Sequence, residues 1–341
     1  MSKTKLLEPR TTAQLAIALA LLITFSTGLF VGRHVDDDIR MSPDNAATRI
    51  SGPHFPYKLN QASRKVALPN ILQEVSAVSY VDGAQVGLVQ DELGIIFFCS
   101  LLDGHVLREV PFASSGDFEG LVILDDEAWV LRSDGDLYQV SGLDQQNPVV
   151  NKIETFLKVR DDTEGLTYDA AGKQLLVSLK AAPSLNGVLN MDKRAVYAFQ
   201  LAHNTMVESP YLLLDMAELK RVYSNQVSGN KPQTFNFLGE NVFQPSDLAI
   251  HPITGHIYHI AAAGQLLVVS DRSGQIYFVR DLPKEIFRQP EGISFDPIGN
   301  MIIVSEGAGA KSMLFEFRYQ PNPPAPAETE SGKSLSVFPH L

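Results

Sequence analysis

Short apolar runs separated by compact polar turns dominate this chain from about residue 75 to residue 319. Val75–Tyr80 alternates as a strand, Asp82-Gly83 turns the chain, and residues 84–90 return. Residues 91–94 turn again, Ile95–Ser100 follow, and Asp103-Gly104 leads into 105–110. Four successive strands joined by tight turns make one antiparallel unit. The same order recurs at 119–124, 128–132, 136–140 and 150–157, with Asp134-Gly135 at one turn. It recurs again at 247–250, 256–261, 265–270 and 275–279. A last unit starts at Gly292 and runs through 301–304 and 313–319.

A carboxylate leads the first strand of each unit: Glu74, Glu119, Glu164, Asp247 and Glu291. These leaders lie 45, 45, 83 and 44 residues apart. A period near 45 predicts an all-β β-propeller, in which each repeat is one four-stranded blade. The long third repeat has strands at 165–168, Gln174–Leu179, 195–201 and 211–214. Asp215 caps a short helix, 216–222. Residues 224–244 show little periodicity and read as an insertion on one face of the ring. Six blades are the alternative, with a degenerate blade in the long gap. Five are preferred because no second carboxylate-led phrase occurs there. The last unit has only three strands, so 57–59 or 65–68 is expected to supply its fourth and remove an open edge.

Residues 1–34 differ in kind. Lys3, Lys5 and Arg10 precede a run of predominantly apolar residues over 13–31. That length suits one transmembrane helix with its N-terminus in the cytoplasm. A cleaved signal peptide is the competing reading, with Ser26 and Gly28 as small residues. The apolar run continues past them through Leu29-Phe30-Val31, which favours an uncleaved anchor. Residues 35–56 form a linker, 57–319 the propeller, and 320–341 a Pro-rich tail without a packed core. The expected location is the cell membrane, single-pass, with the propeller in the periplasm or outside the cell.

Composition narrows the chemistry. Of 341 residues, 39 are acidic and 28 basic, for a net charge of −11. That balance disfavours nucleic acid as a partner. The single cysteine, Cys99, excludes an internal disulfide and reads as a small buried hydrophobe. No nucleophile-elbow or zincin motif occurs. His256 and His259 fall on opposite faces of a strand, which argues against a shared metal. Trp129 reads as a packing residue. Glycines and a lysine at 307–312 read as a turn rather than a phosphate loop.

Asp117-Phe118-Glu119-Gly120, Asp162-Thr163-Glu164-Gly165, Pro290-Glu291-Gly292 with Asp296, and Ser305-Glu306-Gly307 resemble the SdiA-regulated, YjiK-like family. The resemblance spans roughly residues 66–319, and the anchor arrangement is also similar. It implies a five-bladed propeller outside the cytoplasmic membrane, with a calcium site in some members and no established enzymatic activity. Glu74 and Asp247 depart from the family's Glu-Gly form.

First strands of propeller blades line the central channel, so the five leading carboxylates are expected to converge and repel one another. Two readings stand. They bind a hard cation such as Ca2+, with Glu119, Glu164 and Glu291 as ligands, followed by Asp247 and Glu74. Or each turns aside and accepts backbone N–H groups as a repeated turn device. Asp117 and Asp162 lie two residues before their glutamates and could assist. Asp91, Glu92 and Glu306 end second strands as outer groups or turn residues. The leading expectation is a non-catalytic binding module with an unidentified protein or small-molecule ligand. The alternative is a metal-dependent hydrolase of lactonase or phosphoesterase type. A third reading makes the blades a scaffold and 224–244 the contact surface.

Overall fold

The computed structural model describes residues 54–227 and 243–321. They build five antiparallel sheets arranged as the blades of one ring. The innermost strands are Val75–Tyr80, Phe118–Leu124, Thr163–Asp169, Asp247–Ile250 and Gln289–Phe295. Each packs beside the next, and the fifth returns to the first. The expected membrane helix at 13–31 and the tail from 322 onward lie outside the described residues. Among the described residues, no helix is long and apolar enough to cross a membrane.

The blades are apolar on both faces because each is covered by two neighbours. Ile96, Phe97, Phe98 and Cys99 are all buried within a single strand of the first blade. The described core divides into five clusters, each filling one cleft between adjacent blades. Trp129, buried beside Phe199, belongs to the cleft between the second and third blades, and its indole N–H donates to Glu127.

The last blade is completed from the N-terminal side. Arg64–Ala67 pairs antiparallel with Met313–Phe317, and Arg64 also bonds Glu316 at 2.9 Å. Of the two expected closing segments, the second supplies the strand. Tyr57 instead anchors the first segment: it is buried, and its hydroxyl donates to Gly299 O at 2.5 Å.

Among the described residues, the 83-residue spacing holds no sixth blade. A small hairpin, Ser184–Leu185 with Val188–Leu189, extends from the third blade. Two outer segments, Thr205–Met206 and Leu212–Asp215, share the edge of Lys193–Gln200. Helix Met216–Val227 follows, longer than its expected 216–222. Asp215 caps it by accepting the N–H groups of Ala217 and Glu218. Of the expected insertion, 228–242 lies outside the described residues.

Inner strands all start at one end of the ring. The chain's first described residues gather at the opposite end, where Gln320 N–H donates to Pro56 O.

Candidate functional site

The recurring Glu-Gly phrase is a β-bulge. Pairing between inner and second strands slips between Phe118 and Gly120, between Thr163 and Gly165, and between Pro290 and Gly292. The extra residues are Glu119, Glu164 and Glu291. A bulge leaves one residue out of the ladder and re-aims its side chain. The glycine that follows is required by the neighbouring blade. A Cβ on Gly165 would lie 2.8 Å from the Asp247 Cα, and one on Gly120 would lie 2.6 Å from the Leu166 Cβ. Repetition of the phrase is therefore repetition of a close contact between adjacent inner strands.

The same slip in the first blade falls between Val75 and Ala77, which makes Ser76 the bulged residue. In the fourth blade, pairing of Asp247 with Ile260 places Ser246 at the corresponding position. The ring thus reads Ser76, Glu119, Glu164, Ser246, Glu291. Both serines bond to the next blade: Ser76 Oγ donates to Phe118 O and Ser246 Oγ to Pro290 O, each at 2.6 Å. In each case the acceptor immediately precedes the next blade's glutamate.

Glu74 and Asp247 are not equivalents of those glutamates. Glu74 corresponds to Asp117 and Asp162, because all three carbonyls accept the N–H group that follows the second strand: Asp91, Ser133 and Lys180. Asp247 fills the glycine position and turns into the protein. Its carboxylate accepts the N–H groups of Leu248 and Ile293 at 2.8 Å and Leu166 at 3.3 Å. Two of those donors belong to neighbouring blades, so Asp247 ties three blades together rather than closing a turn of its own. Burial nonetheless pushes its carboxyl well above the ordinary range.

Glu119, Glu164 and Glu291 do share one electrostatic neighbourhood. Burial, followed by the charges of Glu164 and Asp117, drives the Glu119 carboxyl far upward, and Asp117 is also its hydrogen-bond partner. Burial raises Glu164 too, against the pull of Lys180. Burial pushes Glu291 up to about 7, with Lys180 again opposing and Glu306 adding to the rise. A second group surrounds Glu74. There burial and the charges of Glu74 and Glu92 push Asp91 up to about 6, and its Oδ1 is buried without a hydrogen-bond partner.

Lys180 is the feature that the repeat concealed. It follows the second strand of the third blade, where the first and fifth blades carry Asp91 and Glu306. Its Nζ lies 2.6 Å from Glu164 Oε1, and the Glu164 side chain is only 5% exposed. Burial works against the Lys180 charge, but Glu164 overrides it and holds the ammonium above its usual range. Comparing the residue after each second strand finds this lysine. A search keyed to carboxylates does not.

The site is tested against a calcium ion by its donor chemistry. Carboxylate oxygens from Glu119, Glu164, Glu291 and Asp117 are the hard donors calcium takes. The orphaned Asp91 oxygen and the raised carboxyls show negative charge short of compensation. Lys180 supplies part of that compensation. Among the described residues, no three His, Cys, Asp or Glu side chains are placed to hold a metal as they stand. The donor types fit, and holding an ion would require these side chains to draw closer.

His251 and His259 lie elsewhere. Burial lowers them to about 4 and about 3, so both are neutral packing groups.

The family model described as SdiA-regulated matches residues 53–309. Comparison with curated proteins gives no match. Among solved structures, glutaminyl cyclase from Myxococcus xanthus is 14% identical with a TM-score of 0.50, over 77% of this chain and 97% of that one. A PQQ-bound aldose sugar dehydrogenase from Streptomyces coelicolor is 11% identical with a TM-score of 0.45, over 76% and 98%. Virginiamycin B lyase from Staphylococcus aureus is 11% identical with a TM-score of 0.42, over 76% and 88%. At such identities the likeness concerns fold alone.

Proposed function

The chain belongs to the SdiA-regulated family, and from that premise we propose that it is a non-catalytic, membrane-anchored propeller outside the cytoplasm. Its acidic channel mouth binds calcium, and the ring face presents a ligand-binding surface. The observation that carries this reading is the group Glu119, Glu164 and Glu291, whose carboxyls are raised chiefly by burial and further by neighbouring carboxylates, with Asp117 bonded to Glu119. A divalent cation is the partner that relieves such repulsion. Glu119, Asp117, Glu164 and Glu291 would hold it. Asp247 is committed to backbone N–H groups and serves to fix the ring. The bound ion would supply positive charge and open coordination positions for an oxygen-bearing ligand. The anchor at 13–31 rests on the sequence pattern of apolar and basic residues.

The test is calcium titration of the full chain by calorimetry beside Glu119→Gln. Binding in the parent and at least tenfold weaker binding in a variant that melts normally supports the reading. Equal binding by both, or none in the parent, removes it.

One observation favours a hydrolase as second reading: burial places Glu291 at about 7, where a carboxyl can both give and take a proton near neutrality. Turnover of a lactone or phosphoester panel by the parent, abolished in Glu291→Gln with the fold intact, would establish it.

A further inference from the structure

The channel's other end differs in character from the acidic mouth. A cavity of about 340 Å3 opens there, lined by all five inner strands. Its volume is in the range of small-molecule sites. Counted from the bulged residue of each blade, the fourth residue onward is Tyr80, Ile123, Tyr168, Ile250 and Phe295. All five line the cavity, and each is half-buried. The register that gathers glutamates at one end therefore gathers large apolar side chains at the other, three of them aromatic.

Positive groups are absent from this wall or already spent. No lysine or arginine lines the cavity. The backbone N–H groups of Tyr80 and Ile123 donate to the hydroxyl oxygens of Ser294 and Ser79, both at 3.0 Å. Each hydroxyl oxygen keeps a second lone pair.

Negative charge is in surplus. The turns that leave the inner strands at this end hold Asp82, Asp125, Asp126 and Asp296 against one lysine, Lys173. Among the described residues, no ion pair reaches any of these four carboxylates. Asp169, at the same end, is by contrast held by Arg272 at 2.7 Å. Asp296 lines the cavity itself and accepts the N–H groups of Ile298 and Asn300, which fix its position without neutralising it. Burial, then the charges of Asp296 and Asp82, hold the Tyr80 hydroxyl above its usual range, so both carboxylates act on that ring.

We propose that this cavity binds a compact organic cation of the alkylammonium class. Its alkyl groups lie against Tyr80, Tyr168 and Phe295, and its charge faces Asp296. Aromatic faces attract a cation through the ring quadrupole and cover its apolar groups at the same time. A neutral molecule of the same shape keeps only the apolar contact, and an anion meets unpaired carboxylates with no free donor to hold it. The assignment does not depend on calcium at the opposite mouth.

The experiment titrates the full chain with choline and, separately, with 3,3-dimethylbutan-1-ol, its uncharged carbon isostere. Binding is read by calorimetry or ligand-observed NMR at constant ionic strength. Choline is expected to bind at least tenfold more tightly than the alcohol. Tyr168→Leu keeps an apolar side chain without the ring. It should weaken choline about fivefold, the scale of one cation–π contact, and leave the alcohol unchanged. Tyr80→Leu gives a loss in the same direction and replaces Tyr168→Leu if that variant melts early. Glu119→Gln, at the acidic mouth, should leave choline affinity as it is. Equal binding of choline and the alcohol, or no binding of either up to about 10 mM, overturns the proposal. So does choline affinity unchanged in both tyrosine variants, choline affinity lost in Glu119→Gln, or displacement of choline by an equal concentration of sodium.

Discussion

Replacing Glu291 by Gln should stabilise the metal-free protein at alkaline pH. Glu291 keeps its place beside Gln289 and Ser246 in the ring, and an amide of the same shape can retain those contacts. Burial and neighbouring charge raise its carboxyl from 4.5 to about 7. At about 1.4 kcal/mol per unit, forcing it to ionise in the fold costs up to about 3 kcal/mol, and solvent screening at the open mouth reduces this to about 2–3. A carboxyl raised on folding gives stability that is complete below its unfolded range and is lost as pH rises through about 7. The variant lacks that loss. At about 2–4 °C per kcal/mol for a domain of this size, Glu291→Gln should melt about 5–10 °C above the parent at about pH 8.5 in chelator. Near pH 5 the parent carboxyl is protonated in the fold, and most of the gap should close. His251 and His259, lowered on folding, withdraw stability as pH falls below about 6.5, but they do so equally in both proteins. The comparison of melting curves at the two pH values therefore isolates Glu291. A variant that melts no higher than the parent at alkaline pH, or gains as much at pH 5, would refute a Glu291 carboxyl raised on folding chiefly by burial.

Lys180→Met should destabilise by about 2–3 kcal/mol, below the usual loss for a broken buried pair because the lysine is partly exposed. Adding Glu164→Gln should restore most of it in chemical denaturation, and a single variant as stable as the parent would show the pair to be idle. Gly165→Ala drives a methyl against the backbone of the fourth blade and should cost about 2 kcal/mol or more, whereas Gly187→Ala, at an open hairpin tip, should cost less despite its left-handed backbone. Equal losses would remove close blade contact as the reason for the repeated glycine. Asp247→Ala leaves three N–H groups in three blades without their acceptor and should cost about 3 kcal/mol or more. A mild effect on urea unfolding would make Asp247 dispensable to ring closure.

Five blades were legible in the chain because turn residues and apolar runs repeat at the blade period, and because each blade can bury its faces only against the next. Helix capping by Asp215 and burial of Cys99 and Trp129 were legible for local reasons: a side chain matched to the backbone ahead of it, and apolar runs that only a covered strand explains. The carboxylates were legible as a recurring type but not as a ring. Alignment on the leading acid placed Glu74 and Asp247 beside Glu119, whereas the strand ladder puts Ser76 and Ser246 there. The difference is one or two residues, and pairing alone decides it, since a bulge shifts which side chain leaves the ladder. Lys180 was hidden for a related reason: its partner Glu164 is sixteen residues away and meets it only across two paired strands. The mouth of Tyr80, Tyr168 and Phe295 was hidden as well, because only the register counted from the bulges aligns them. The chain's own pattern determined the repeat, the ring and the stock of acidic groups. Tertiary structure decided which acids are crowded, which one is spent on backbone N–H groups, and which remain without a cation, because these depend on strand register and on contacts between blades.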